Sequence, residues 1–111
     1  MATYANLYVD QGSDFSTNVF VEDSNGDPLD LSSITLSGQV KRTYQSETAY
    51  DFTITKQDTI RGEIRVALDS ATSLSMHRGR YVYDVYGQDT IAGTYFKILE
   101  GILEIIPSVT R

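Results

Sequence analysis

The sequence predicts an all-β sandwich of about seven short strands with one short helical turn, in a single domain spanning residues 1–111. Three observations carry this. Run after run alternates apolar and polar residues with a period of two, which places one face of each strand in a core. Turn residues fall between the runs at sandwich spacing. The aromatics are eight Tyr and four Phe with no Trp, and Tyr suits half-buried strand positions, where the ring packs while its hydroxyl stays wet.

The segment Leu7-Tyr8-Val9 opens the chain as a further strand. Next, Phe15, Thr17, Val19 and Val21 share one face, while Ser16, Asn18 and Glu22 point the other way. Asp23-Ser24-Asn25-Gly26-Asp27-Pro28 then reads as a turn, with Asn25-Gly26 supplying positive φ angles. Leu36, Gly38 and Val40 alternate with Thr35, Ser37, Gln39 and Lys41, and Tyr50, Phe52 and Ile54 alternate with Asp51, Thr53 and Thr55. Arg61-Gly62 separates that strand from the next, where Ile64, Val66 and Leu68 alternate with Glu63 and Arg65.

Asp69-Ser70-Ala71-Thr72-Ser73-Leu74 differs: N-cap residues precede weak helix formers, which suits one helical turn in a crossover. Tyr81, Tyr83 and Val85 form the next inward face, and Gly87 through Gly93 reads as a hairpin loop. The last strand, Tyr95 to Ile106, is expected to bulge or bend at Gly101. The predicted core comprises Phe15, Val19, Val40, Phe52, Ile54, Ile64, Val66, Tyr83, Val85 and Ile98.

Gly79-Arg80-Tyr81-Val82-Tyr83 resembles the G-x-Y-x-C sequence of immunoglobulin domains, with Tyr83 where the disulfide cysteine would stand. Tyr81 is then the candidate tyrosine-corner residue, its hydroxyl bonding the backbone upstream. The fold class is therefore an immunoglobulin-like antiparallel β-sandwich. A chain of 111 residues without cysteine must hold such a fold by apolar burial alone or with a partner's help.

The net charge of −6 is unevenly spread. Before Lys41 there is no Lys or Arg, but there are six acids: Asp10, Asp14, Glu22, Asp23, Asp27 and Asp30. If this segment forms neighbouring strands and their loop, the six gather on one side. Such a pole repels phosphate backbones, which argues against nucleic acid, and favours a basic protein surface. The alternative is ordinary solubilising charge. The N-terminus has neither the basic region nor the apolar run of a signal peptide, and no stretch approaches the ~20 apolar residues of a membrane helix.

Catalytic sets are weak. His77 is the sole histidine and sits in a Ser- and Asp-rich chain without a local motif, so a solvated loop residue is expected rather than a catalytic base. The glycines are dispersed and form no phosphate loop. Asp23, Asn25 and Asp27 offer hard oxygen ligands at alternate positions, of the kind calcium takes. Gly26 comes too early for an EF-hand and no Glu closes the loop, so a polar turn is the preferred reading. No cofactor is expected, and no enzymatic activity. Exposed tyrosines leave a carbohydrate- or surface-binding module as the alternative function.

Longer motifs carry a family resemblance. Gln11-Gly12-Ser13-Asp14-Phe15 leads into Val21-Glu22-Asp23-Ser24-Asn25-Gly26-Asp27-Pro28-Leu29-Asp30-Leu31-Ser32-Ser33. Val40-Lys41-Arg42, Gly79 to Asp84, Leu99-Glu100-Gly101 and Pro107-Ser108-Val109-Thr110-Arg111 follow. Together they resemble small structural proteins of tailed-phage particles, similar to the N-terminal domain of phage baseplate upper proteins. Ser33 stands where a glycine is more usual. The resemblance implies an immunoglobulin-like module in a tail, baseplate or neck, made in the host bacterial cytoplasm and resident in the virion. Its partners would be other virion proteins or copies of itself, and the charge segregated before Lys41 makes Asp23, Asp27 and Asp30 the candidate contact residues. The resemblance brings no catalytic residues.

Overall fold

The computed structural model describes residues 3–23 and 25–110. The readings that fall on Met1, Ala2, Ser24 and Arg111 lie outside them. Nine strand segments and one helix follow in order: β1 (Thr3–Tyr4), β2 (Leu7–Asp10), β3 (Phe15–Phe20), β4 (Ile34–Lys41), β5 (Ala49–Asp51), β6 (Thr53–Asp58), β7 (Glu63–Leu68), α1 (Ser70–Ser75), β8 (Gly79–Asp89) and β9 (Tyr95–Ile106). They form two sheets. The larger has the order β1-β9-β8-β4-β5, with β2 also on β9, and the smaller is β3-β7-β6. Between them lies one apolar core, and the fold is a β-sandwich.

Two departures from the sequence reading raise the strand count. The run from Tyr50 to Thr55 reads as one strand but is two, because the chain changes sheets at Phe52. β5 pairs with β4 in the large sheet and β6 with β7 in the small one. Phe52 is the corner: its N–H reaches the Gly38 carbonyl at 3.0 Å, and its ring meets Tyr83 edge-on at 5.9 Å. The first edge is also divided, into β1 and β2. Both run parallel to β9, so the sandwich is not purely antiparallel. Parallel neighbours need a long crossover, and here nearly the whole chain supplies it.

Gly101 explains the division. It stays in register opposite Tyr83, whereas the irregularity in the β8–β9 ladder falls between Val85 and Tyr86. Ile98 is the extra residue there, so Ile98 and Leu99 are both buried. The bulge is thus three residues earlier than expected. At Gly101 the carbonyl of Ala5 comes so close that a Cβ would clash with it. The glycine serves a backbone crossing, not a bulge.

The period-two reading places the core correctly. Val40, Phe52, Ile64, Val66, Tyr83, Val85 and Ile98 are buried, and Phe15, Val19 and Ile54 pack against them half-buried. Those three sit on β3 and β6, the outer strands of the three-stranded sheet. Each fully buried aliphatic side chain contributes about 1.5–3 kcal/mol. Leu31 and Met76 were not foreseen, since both lie in connections without periodicity, yet both are fully buried.

α1 is the expected helical turn. Asp69 is its N-cap, with Oδ1 accepting from Thr72 N at 2.8 Å; the Thr72 side chain first, and this backbone bond second, hold its carboxyl below the usual range. Ser73 is buried: its hydroxyl donates to Ser13 O at 2.8 Å and accepts from Gly12 N at 3.1 Å, tying the helix to the turn before β3. After it, the Tyr81 hydroxyl donates to the His77 carbonyl at 2.7 Å. This is the tyrosine-corner bond the sequence predicts.

Candidate docking surface

The acids before Lys41 do not share one side. β3 carries the chain from one end of the sandwich to the other, leaving Asp10 and Asp14 behind. Asp14 caps the helix region, its Oδ1 accepting from Ser70 N at 2.7 Å. Glu22, Asp23, Asp27 and Asp30 lie at the opposite end, all exposed. The gathering on one side is therefore corrected to four of the six, because successive strands run from end to end.

Those four are joined by acids from elsewhere in the chain. Three connections meet at this end: 21–33, 58–63 and 89–94. Backbone bonds stitch them together, from Val21 N to Gly62 O (2.8 Å), Leu31 N to Thr59 O (2.9 Å) and Thr90 N to Ser33 O (2.9 Å). Thr90 Oγ1 donates to the same Ser33 carbonyl at 2.8 Å. The three connections hold Glu22, Asp23, Asp27, Asp30, Asp58, Glu63 and Asp89 against one base, Arg61. Arg61 Nε lies 3.9 Å from Asp58 Oδ2. The surplus at this end equals the net charge of the chain.

Large apolar side chains share the acidic end. Phe20 is 62% exposed, Ile60 78% and Ile91 86%. Phe20 had a legible signal, since it falls on the polar phase of β3 with Ser16 and Asn18. Ile60 and Ile91 had only the weaker sign of an isoleucine beside turn residues. Asp58, Glu63 and Asp89 were missed because only the fold brings them here.

The predicted site residues are placed as follows. Asp23 and Asp27 share one turn: Asp23 N donates to Asp27 O at 2.8 Å and Gly26 N to Asp23 O at 3.0 Å. The Asp23 carboxylate is occupied by the turn itself, Oδ1 accepting from Asn25 N (2.9 Å) and Asp27 N (3.0 Å). Gly26 has a positive φ of 84° but Asn25 does not; glycine alone supplies that conformation, so the expected Asn25 angle is corrected. Asp30 stands apart in its own turn, accepting from Ser32 N at 2.9 Å. That backbone bond, with the Ser32 side chain second, holds its carboxyl below the usual range. Among the described residues no group of three or more His, Asp or Glu is placed to hold a metal ion.

His77 is exposed and lines an open depression of about 390 Å³ with Arg42, Ser46, Thr48, Tyr50 and Tyr81. Among the described residues no carboxylate lines it, and the Ser46 hydroxyl donates to Thr48 O. The Arg42 guanidinium lies over the Tyr81 ring at 4.8 Å. A nucleophile, a base and an orienting acid are not assembled there. Of the tyrosines, Tyr81 and Tyr83 are core residues, Tyr4, Tyr8 and Tyr95 are exposed on β1, β2 and β9, and Tyr44 is exposed in the connection after β4. Among the described residues no helix is long and apolar enough to cross a membrane.

No protein-family model and no curated protein matches the chain. Solved structures similar to it include the following two. InlP of Listeria monocytogenes is 13% identical with a TM-score of 0.51, over 95% of this chain and 28% of that one. A family 123 glycoside hydrolase from Clostridium perfringens is 10% identical with a TM-score of 0.47, over 97% of this chain and 23% of that one. The chain spans about a quarter of the length of each. InlP supports the sandwich fold alone.

Proposed function

We propose that this chain is a non-enzymatic structural component of a tailed-phage particle, in its tail, baseplate or neck, acting through protein–protein assembly. The observation that carries the assembly role is the pairing of exposed Phe20, Ile60 and Ile91 with seven acids at one end of the sandwich. Apolar area supplies affinity, and charge of one sign selects a basic partner and speeds encounter. Crowded like charges add nothing to folding. The virion setting rests on the motif resemblance, and the partner is another virion protein or a further copy of the chain.

Antibody labelling of purified particles tests the setting, and size-exclusion chromatography with light scattering tests assembly. Labelled virions together with rings or complexes are expected. A protein absent from virions, monomeric at high concentration and positive on a glycan array would replace this reading with the carbohydrate-binding alternative.

A further inference from the structure

β4 is paired with β8 along its whole length, from Ile34 opposite Asp89 to Lys41 opposite Val82. On its other side β5 covers only Gln39, Val40 and Lys41. Beyond Asp51 the chain leaves for the small sheet, with the 3.0 Å bond from Phe52 N to Gly38 O as the last link. In an antiparallel ladder alternate residues direct both backbone groups to the same neighbour. Gly38 faces the β5 side, so Leu36 and Ile34 do also. Ile34 N is spent on Leu31 O at 3.0 Å. The N–H and C=O of Leu36, the N–H of Gly38 and the C=O of Ile34 therefore face a rank that no strand of the described residues fills.

This edge borders an open trough of about 450 Å³ whose lining includes Leu36, Phe52, Tyr86 and Tyr95, together with Asp51 and Asp84. On the outer face, register places Glu100, Asp84, Gln39 and Asp51 in one row across four strands. Like charges directly opposite, as Asp84 and Glu100 are, destabilise a sheet. Lys97 answers Glu100 at 3.4 Å, and Gln39 Nε2 donates to Asp51 at 2.9 Å. Among the described residues the row's one ion pair is Lys97 with Glu100, while Lys41 lies in the adjacent row beside Asp84, so three carboxylates outnumber the two cations near them.

We infer that the Ile34–Gly38 edge receives an extended, lysine- or arginine-bearing segment of another protein, added antiparallel to β4 in the rank that β5 vacates. Main-chain bonds to Leu36 and Gly38 would hold it. Residues opposite Leu36 would direct apolar side chains inward, and the alternate residues would direct their cations to the Asp84–Asp51 row. A second copy of this chain fits poorly, since its own open β4 edge shows Thr35, Ser37 and Gln39 outward, and the one cation of that strand, Lys41, lies where β5 is already paired. This site is separate from the acidic end, and its test does not depend on docking there.

The probe is a blocked octapeptide alternating Lys and Val, with a control of equal charge whose valines are N-methylated. Anisotropy should show the control binding at least tenfold more weakly, and Asp51→Asn with Asp84→Asn should weaken the probe severalfold. Amide exchange by NMR should slow at Leu36 and Gly38 at least tenfold when the probe is present, and should be unchanged in Asp23→Asn, a variant of the acidic end. Equal binding of both peptides, or of neither, overturns the inference. So does protection at Leu36 that rises with protein concentration alone, which would make a second copy the occupant.

Discussion

The hydroxyl of Tyr83 donates to the carbonyl of Ala5 at 2.6 Å, across the position where Gly101 lacks a side chain. Ala5 N in turn donates to Glu100 O at 2.9 Å. The N-terminal edge is thus fastened to β8 and β9 at a crossing that tolerates no Cβ. Replacing Gly101 by Ala should push the Ala5 segment off and cost about 1–3 kcal/mol, as overpacking does. Urea unfolding reads this as a lower midpoint, and a midpoint equal to the parent's would refute the crossing.

Tyr83 also sets an alkaline limit. Burial first, then the neighbouring Tyr4 and Glu100, push the Tyr83 hydroxyl from 10.0 up to about 12. A folded-state value above the unfolded one favours the protonated, folded form. The stability it supplies is complete below pH 10 and declines as pH rises through about 12. Stability should therefore fall across this window, and Tyr83→Phe should flatten the fall while lowering neutral stability by about 0.5–1.5 kcal/mol for the lost bond. Denaturation midpoints at stepped pH measure both; an unchanged alkaline slope would mean that Tyr83 does not set it.

Val66 is fully buried on the middle strand of the small sheet, opposite Thr17 and Ile54. Val66→Asp should unfold the domain, since an unpaired buried carboxylate costs several kcal/mol, on the order of total stability. Circular dichroism with a melt decides it, and a parent-like melt would show the face assigned to this strand to be wrong.

What could be read in the sequence follows physical range. Alternation is local, so β3, β4, β7 and β8 and their inward residues were legible, as were the Asp69 cap and the Tyr81 corner. The sheet change at Phe52 was not, because alternation continues unbroken through a corner that only the neighbouring strands define. Ile98 is legible as core but its bulge is not, since a bulge is a property of the pairing with Val85 and Tyr86. At the candidate site, Asp23, Asp27 and Asp30 were legible as one charged segment. Asp58, Glu63 and Asp89 joined them only through the backbone bonds of Thr59, Gly62 and Thr90.

Calcium should find no ready site at the Asp23 turn. An oxygen that accepts two backbone amides is already coordinated by its own loop. Titration calorimetry with millimolar calcium should give no saturable heat, and Asp23→Ala should cost about 1 kcal/mol through the lost turn bonds. A saturable heat abolished by Asp23→Ala and Asp27→Ala would overturn this.

The acidic end should govern association more than stability. Asp23 and Asp30 each use Oδ1 to accept backbone amides, and an asparagine at either place keeps that oxygen while shedding the charge. Changing Asp23, Asp27 and Asp30 to Asn should therefore leave the melting temperature nearly unchanged and slow binding to a basic partner. Added salt should slow the parent in the same way, because exposed charges are screened beyond ~8 Å at physiological ionic strength. Ile60 and Ile91 act differently: truncation to Ser removes apolar contact, so it should speed dissociation with little salt sensitivity. Surface plasmon resonance against an immobilised basic protein that binds the parent separates the two effects. If the triple Asn variant associates at the parent's rate at low salt, the charge at this end is ordinary solubilising charge, and the docking surface must be sought elsewhere on the molecule.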